Sequence, residues 1–296
     1  MLKMKNICFI LFVITLILFS CSKANNDTPE PDGTVQYVNI GTDQIAYSTY
    51  GDGFPLLMCM GYSGAMDMWL PEVINRFSEH YKVIVFDYPG VGYSSTQDTS
   101  QTIAGLAEST YEFMKAINVD ITHLMGWSMG TNVALKLLVN HPESIGKMVL
   151  YAGDCGDTVM IMPPDWVIKI MTTDTTTEAF LSILFPPDWL VNHPDPSEYL
   201  PEMEETTDWD VVVMQWKALD NWYSPGGGVA RQLSTIQHDV LLITGDQDVA
   251  TPTANSYILK DSIPNASLVV LNNCGHGAMY QKPKEFANHI LAFLNN

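Results

Sequence analysis

The chain has 296 residues, 47% of them hydrophobic, which is enough apolar material for one large core. Asp and Glu number 33 against 14 Lys and Arg, a formal charge of −19, and only Arg76 and Arg231 are arginines. This balance excludes nucleic acid as a partner, since a phosphate backbone is bound by clustered cations, and it disfavours phosphate-bearing substrates for the same reason.

The N-terminal segment reads as lying outside the fold. Lys3 and Lys5 precede an uncharged run from Ile7 to Ser20, the flanks and length of a signal peptide over residues 1–20. Leu18-Phe19-Ser20-Cys21 resembles a bacterial lipobox, which implies cleavage before Cys21 and lipid attachment to its thiol. An uncleaved anchor is the alternative, although the run is short for a span of roughly 20 apolar residues. Either way, an exported, membrane-tethered protein of the cell envelope is expected. Residues 22–34, rich in Asn, Asp, Pro and Glu, cannot build a core and read as a flexible tether. Fully stretched they reach on the order of 40 Å.

Residues 35–40 and 44–50 read as a hairpin turned at Gly41-Thr42-Asp43. Residues 56–60 form a third expected strand. Residues 68–77 carry Trp69, Leu70, Val73, Ile74 and Phe77 at helical spacing. A fourth strand over 82–86 and a helix over 103–117 follow. The apolar run of Ile121, Leu124 and Met125 reads as a fifth strand, and Thr131 to Leu138 as a helix. Between them stands Gly126-Trp127-Ser128-Met129-Gly130. Residues 147–151 give a sixth strand, 239–244 a seventh and 267–271 an eighth. Strands alternating with helices imply an α/β fold: a mostly parallel eight-stranded sheet covered on both faces. The rhythm breaks over 156–230, where Pro163-Pro164 and Pro186-Pro187 punctuate short apolar runs and five of the seven tryptophans fall. The expected organisation is therefore a core of residues 35–155 and 231–296 with an insertion of 156–230.

A serine between two glycines on a strand-to-helix turn is a nucleophile elbow. The glycines admit close backbone approach, the turn lifts the hydroxyl clear of the sheet, and the helix N-terminus favours developing negative charge. A serine hydroxyl needs a base, and histidine suits because its pKa lies near operating pH; a carboxylate orients the imidazole. Downstream, Gly245-Asp246-Gln247-Asp248 follows the seventh strand and Cys274-Gly275-His276 follows the eighth. Ser128, Asp248 and His276 each sit just past a strand's C-terminal end, the edge where open α/β sheets bind ligands. Asp246 is two residues from Asp248, and Asp154 and Asp157 follow the sixth strand; these stand as alternative acids. Asp87 reads as a loop brace, and the other histidines as surface or structural. After Cys21 only Cys59, Cys155 and Cys274 remain, an odd count at irregular spacing that reads as small buried hydrophobes rather than a disulfide framework. No His, Cys or carboxylate cluster has metal-ligand spacing, so no metal or cofactor is expected.

From about residue 35 to its end the sequence resembles the α/β-hydrolase superfamily, closest to its capped esterase and C–C-hydrolase-like branch. The resemblance is carried by Met60-Gly61-Tyr62, Asp87-Tyr88-Pro89-Gly90-Val91-Gly92-Tyr93-Ser94, the serine elbow, Gly245 with Asp248, Gly275-His276, and the closing Pro283, Phe286 and Phe293-Leu294. It implies a helical cap after the sixth strand and Ser128 as nucleophile, His276 as general base and Asp248 as orienting acid. It also implies an oxyanion hole from the backbone N–H groups of Tyr62 and Met129. Three positions depart from the pattern: Met60 replaces a usual His, Pro89 a usual Arg, and Gln281 a common acid. Before Arg231 the insertion holds only Lys169 and Lys217 as cations, so an uncharged, apolar small ester or lactone is the expected substrate. C–C bond hydrolysis and perhydrolysis with the same triad are rivals, as is a non-catalytic ligand-binding lipoprotein.

Overall fold

The computed structural model describes residues 33–173 and 176–296. The segment read as a signal peptide, Cys21 and nearly all of the expected tether lie outside the described residues. The hairpin is β1 (Gln36–Ile40) and β2 (Asp43–Tyr50), paired antiparallel. The remaining strands are β3 (Pro55–Cys59), β4 (Lys82–Phe86), β5 (Thr122–Trp127), β6 (Ile145–Tyr151), β7 (Val240–Gly245) and β8 (Ala266–Leu271). They form one eight-stranded sheet in the order β1-β2-β4-β3-β5-β6-β7-β8, parallel from β4 onward. The expected α/β architecture is the observed one. After β3 the chain passes to β4 on one side, then returns to β5 on the other. That reversal opens a crevice outside the carboxyl ends of β3 and β5.

Helix α1 (Pro71–Ser78) joins β3 to β4, α2 (Ile103–Ala116) joins β4 to β5, and α3 (Met129–Asn140) follows β5. Between β6 and β7 lie α4 (Asp165–Thr173), α5 (Thr177–Leu184), α6 (Pro187–Asn192) and α7 (Trp209–Tyr223). Helix α8 (Ala254–Ser262) precedes β8, and α9 (Ala278–Gln281) and α10 (Pro283–Leu294) close the chain. The first helix begins three residues later than its apolar spacing suggests. Met66–Met68 form a separate 3-10 turn, and Pro71, whose fixed φ suits a first helical position, starts α1.

Strand alternation divides the core into two layers. Leu57, Ile84, Leu124, Leu150 and Leu242 pack with Leu106 and Phe113 of α2, Val133 and Leu137 of α3 and Leu259 of α8. Their strand neighbours Leu56, Val83, Met125, Val149 and Leu241 face the opposite way, onto Phe77 of α1 and Phe286 and Ile290 of α10. Each such side chain contributes roughly 1.5–3 kcal/mol on burial, so the sheet holds the strand ends, and the loops leaving them, in fixed relation.

Candidate active site

Ser128 is the single residue between β5 and α3, with φ 55° and ψ −122°. A positive φ is costly for a non-glycine residue and persists only where surrounding structure enforces it. Here the enforcement is visible. A Cβ on Gly126 would overlap the backbone of Gly130, and one on Gly130 would overlap the carbonyl of Cys59 on β3. The Ser128 N–H donates to Tyr151 O on β6 (2.9 Å), and Ser128 O accepts from Thr131 N (2.8 Å). Thr131 Oγ1 donates back to Gly126 O (3.1 Å). The two glycines thus let the elbow sit tight against its neighbouring strand.

His276 lies beyond β8 and Asp248 beyond β7. The imidazole Nδ1 is 2.9 Å from Asp248 Oδ2 and 3.1 Å from Oδ1, with side chains 7% and 0% exposed. Asp248 Oδ1 also accepts from Ala250 N and Thr251 N, both at 2.9 Å, which fixes the carboxylate's orientation. The His276 carbonyl accepts from Tyr151 Oη (2.6 Å). Gln281, one of the three departures, accepts from Gly275 N (2.8 Å) and donates to Asn273 O (3.2 Å), bracing the histidine loop.

The alternative acids go elsewhere. Asp246 is exposed and accepts from Cys274 N (3.2 Å). Asp157 accepts from Thr158 N (2.7 Å). Asp154 is buried against Asn132 and Trp222. Asp87 receives Met66 N (2.6 Å) and Tyr93 N (2.9 Å), and burial pushes its carboxyl up to about 7. It ties the loop after β4 to the loop after β3. Cys59, Cys155 and Cys274 are buried and free, and burial raises their thiols to about 12, 12 and 11, so they are poor nucleophiles.

The loop after β3 brings Gly61 beside the elbow, where an added Cβ would lie 3.3 Å from Ser128 Cβ. Tyr62, Ser128, Met129 and His276 line one cavity of about 370 Å³, with Met60 in its wall. Met129 opens α3, and the first N–H groups of a helix have no partner within it. Three hydrogen bonds join this loop to the insertion. Tyr62 Oη donates to Met171 O (3.1 Å), Ser63 N donates to Gln215 Oε1 (2.8 Å), and Thr207 Oγ1 donates to Ser63 O (2.9 Å). Gln215, on α7, is fully buried, and its Nε2 has no partner.

Of the insertion's tryptophans, Trp209 and Trp216 line the cavity, Trp222 is buried, Trp189 stacks on Phe185 at 4.2 Å, and Trp166 is largely exposed. Sequence reasoning missed Asn132 and Gln215. The only local signal was for Asn132, which stands four residues after Ser128 on a helix and so shares its face.

Comparison with known proteins bears on the fold and the class of activity. A family profile described as alpha/beta hydrolase fold matches residues 55–283. A protein of Caulobacter sp. named as a candidate carbamate hydrolase, RutD, is 25% identical over 81% of this chain and 90% of its own length. The 2-hydroxy-6-oxo-6-(2'-aminophenyl)hexa-2,4-dienoic acid hydrolase of Metapseudomonas resinovorans is 27% identical over 88% of this chain and 90% of its own. Among solved structures, an alpha/beta hydrolase fold protein from Chitinophaga pinensis superposes with a TM-score of 0.78 at 25% identity, covering 90% of this chain and 99% of the other. With an eight-stranded, mostly parallel sheet, a serine elbow and a family match over most of its length, the chain belongs to the α/β-hydrolase fold family and is a hydrolase.

Proposed function

We propose that this hydrolase cleaves carboxylic esters or lactones of apolar small molecules through an acyl-enzyme. Ser128 Oγ attacks the carbonyl carbon while His276 Nε2 takes its proton. Asp248 holds the imidazole in the tautomer that leaves Nε2 free, and it stabilises the imidazolium. The N–H groups of Tyr62 and Met129 receive the oxyanion; losing one such donor typically costs about 2.7–4 kcal/mol. Collapse expels the alcohol, which takes the proton from Nε2, and water then repeats the cycle on the acyl-enzyme. The observation that carries this reading is the 2.9 Å contact between Asp248 and His276, buried beside the cavity that Ser128 also lines. A fluorophosphonate probe is expected to label the wild type and leave Ser128→Ala unlabelled; equal labelling of both would overturn the assignment.

A second reading, C–C bond hydrolysis, is favoured by the Metapseudomonas relative. Its named substrate is a carboxylic acid, and among the described residues no Lys or Arg lines the cavity to receive a carboxylate. The ester reading is therefore preferred. Turnover of p-nitrophenyl esters against a vinylogous diketone separates the two; faster cleavage of the diketone would reverse the order. The lipobox-like segment further supports export of the enzyme and its attachment to a membrane through Cys21, with residues 156–230 acting as a cap over the catalytic edge.

A further inference from the structure

Two carboxylates that line the cavity, Asp154 and the exposed Glu205, have no part in the proposed reaction, and Asp154 is the buried one. Asp154 follows β6, is 3% exposed, and lines the same cavity as Ser128 and His276. Asn132 Nδ2 (3.1 Å), Gly156 N (2.8 Å) and Trp222 Nε1 (2.9 Å) all donate to its Oδ1. None of these bonds goes to Oδ2. Asn132 stands one helical turn beyond Ser128, so the carboxylate is anchored roughly 6 Å along α3 from the elbow. Ser128 and Asp154 therefore line one cavity at points about one helical turn apart along α3.

The walls around it have a consistent sign. Besides His276, the ionisable side chains lining the cavity are Asp154, Glu205 and the phenols Tyr62 and Tyr223. Burial raises the Asp154 carboxyl, the donors Trp222, Gly156 and Asn132 on Oδ1 pull it back down, and the carboxylate adds to burial in holding the Tyr223 phenol protonated. Trp216 and Tyr223 also line the site, and the faces of aromatic rings attract cations. A buried carboxylate is costly unless paired, and a second carboxylate brought beside it is costlier.

We propose that Asp154 Oδ2 receives a hydrogen-bond donor of the substrate, a hydroxyl or a protonated amine, and that the cavity rejects substrates carrying a carboxylate at that end. Asp154 is then a specificity-determining residue, and this assignment rests on the hydrolytic reading of Ser128 given above. The test is a series with one leaving group and near-constant chain length: the p-nitrophenyl esters of hexanoate, 6-hydroxyhexanoate, 6-aminohexanoate and monoadipate. In the wild type, kcat/KM for the hydroxy and amino esters is expected to match or exceed that for hexanoate, with monoadipate slower than the amino ester by about 100-fold or more. In Asp154→Asn the amino-to-adipate ratio is expected to fall at least about tenfold.

Monoadipate cleaved as fast as the amino ester by the wild type would overturn the assignment. So would an unchanged ratio in an Asp154→Asn protein that melts with the wild type. Should that variant not fold, inhibition of wild-type hexanoate turnover decides: hexylamine inhibiting more strongly than free hexanoate supports the assignment, and the reverse order defeats it. Hexanoate turnover without charge discrimination removes only the Asp154 assignment. No turnover of any of the four esters removes the hydrolytic reading, and this one with it.

Discussion

At Ser128 a side chain and a backbone angle are inseparable: the hydroxyl is presented because φ is 55°, and that φ survives because Gly126 and Gly130 leave room for it. Asp248 works in the same local way. Its two backbone donors and the imidazole use both oxygens, so an amide cannot replace it without turning an NH2 toward either a backbone N–H or Nδ1. Asp248→Asn is expected to lower kcat by as much as ~10⁴-fold with the fold intact, because the histidine is then held in the wrong tautomer. Steady-state kinetics beside a melting curve checks this.

Asp87 makes a thermodynamic prediction instead. Burial lifts its folded-state pKa to about 7 from the ordinary 3.8, so the unfolded chain gives up this proton first as pH rises. Between about pH 4 and 7 the unfolded state binds fewer protons than the folded one, and stability falls with pH; above 7 the penalty stays constant. Relative to Asp87→Asn, the wild type is expected to lose on the order of a few kcal/mol across that window, read by denaturant melts at several pH values.

The elements that matter most are the loop after β3 and helix α7. Three hydrogen bonds from the insertion hold Tyr62 and Ser63, and one of them uses a buried glutamine whose amide N–H2 goes unpartnered. Leaving such a donor unmade costs about 1–3 kcal/mol, which points to a role for the Oε1 contact in placing the loop. Gln215→Leu is expected to lower kcat roughly 10- to 100-fold with KM changed far less, since a small shift of the Tyr62 N–H weakens only the transition state. Gln215→Glu, which keeps the acceptor, should recover most of that loss. A change confined to KM would argue against this role.

Element boundaries show where sequence pattern carries information. Fully buried strands such as β3, β4 and β7 read as apolar runs. Helix α8 had no apolar face to show. Two of its buried residues are Asn255 and Ser256, and Asn255 is satisfied by paired hydrogen bonds to the backbone of Ile161, 94 positions away. In the insertion only the six-residue α6 is bounded closely by prolines at both ends; α7 runs fifteen residues without one and buries Val211, Gln215, Ala218 and Trp222 at helical spacing, a legible face that sequence reading left unassigned.

For the whole molecule, the edge that carries Ser128, Asp248 and His276 is set by topology. The reversal of strand order at β3 leaves the loops after β3 and β5 side by side, and parallel pairing through β8 carries the Asp248 and His276 loops to the same edge. The N-terminal segment, read as sequence, predicts attachment rather than chemistry. Labelled palmitate is expected to enter the wild-type protein and not Cys21→Ser, which should leave the membrane fraction; retention of the unlabelled variant there would favour an uncleaved anchor.

Length, charge, the strand succession and the elbow were all legible in the chain itself, because each depends on residue types within a few positions of one another. So was the order of serine, acid and histidine along the chain. For the carboxylate that meets His276, the residues alone left Asp246, Asp154 and Asp157 as alternatives; the resemblance favoured Asp248, and packing turns Asp248 inward and leaves Asp246 exposed. The cavity walls, the glutamine behind the loop after β3 and the carboxylate beyond Asn132 were decided by segments some 20 to 150 positions apart in the chain, brought together by burial of the two core layers.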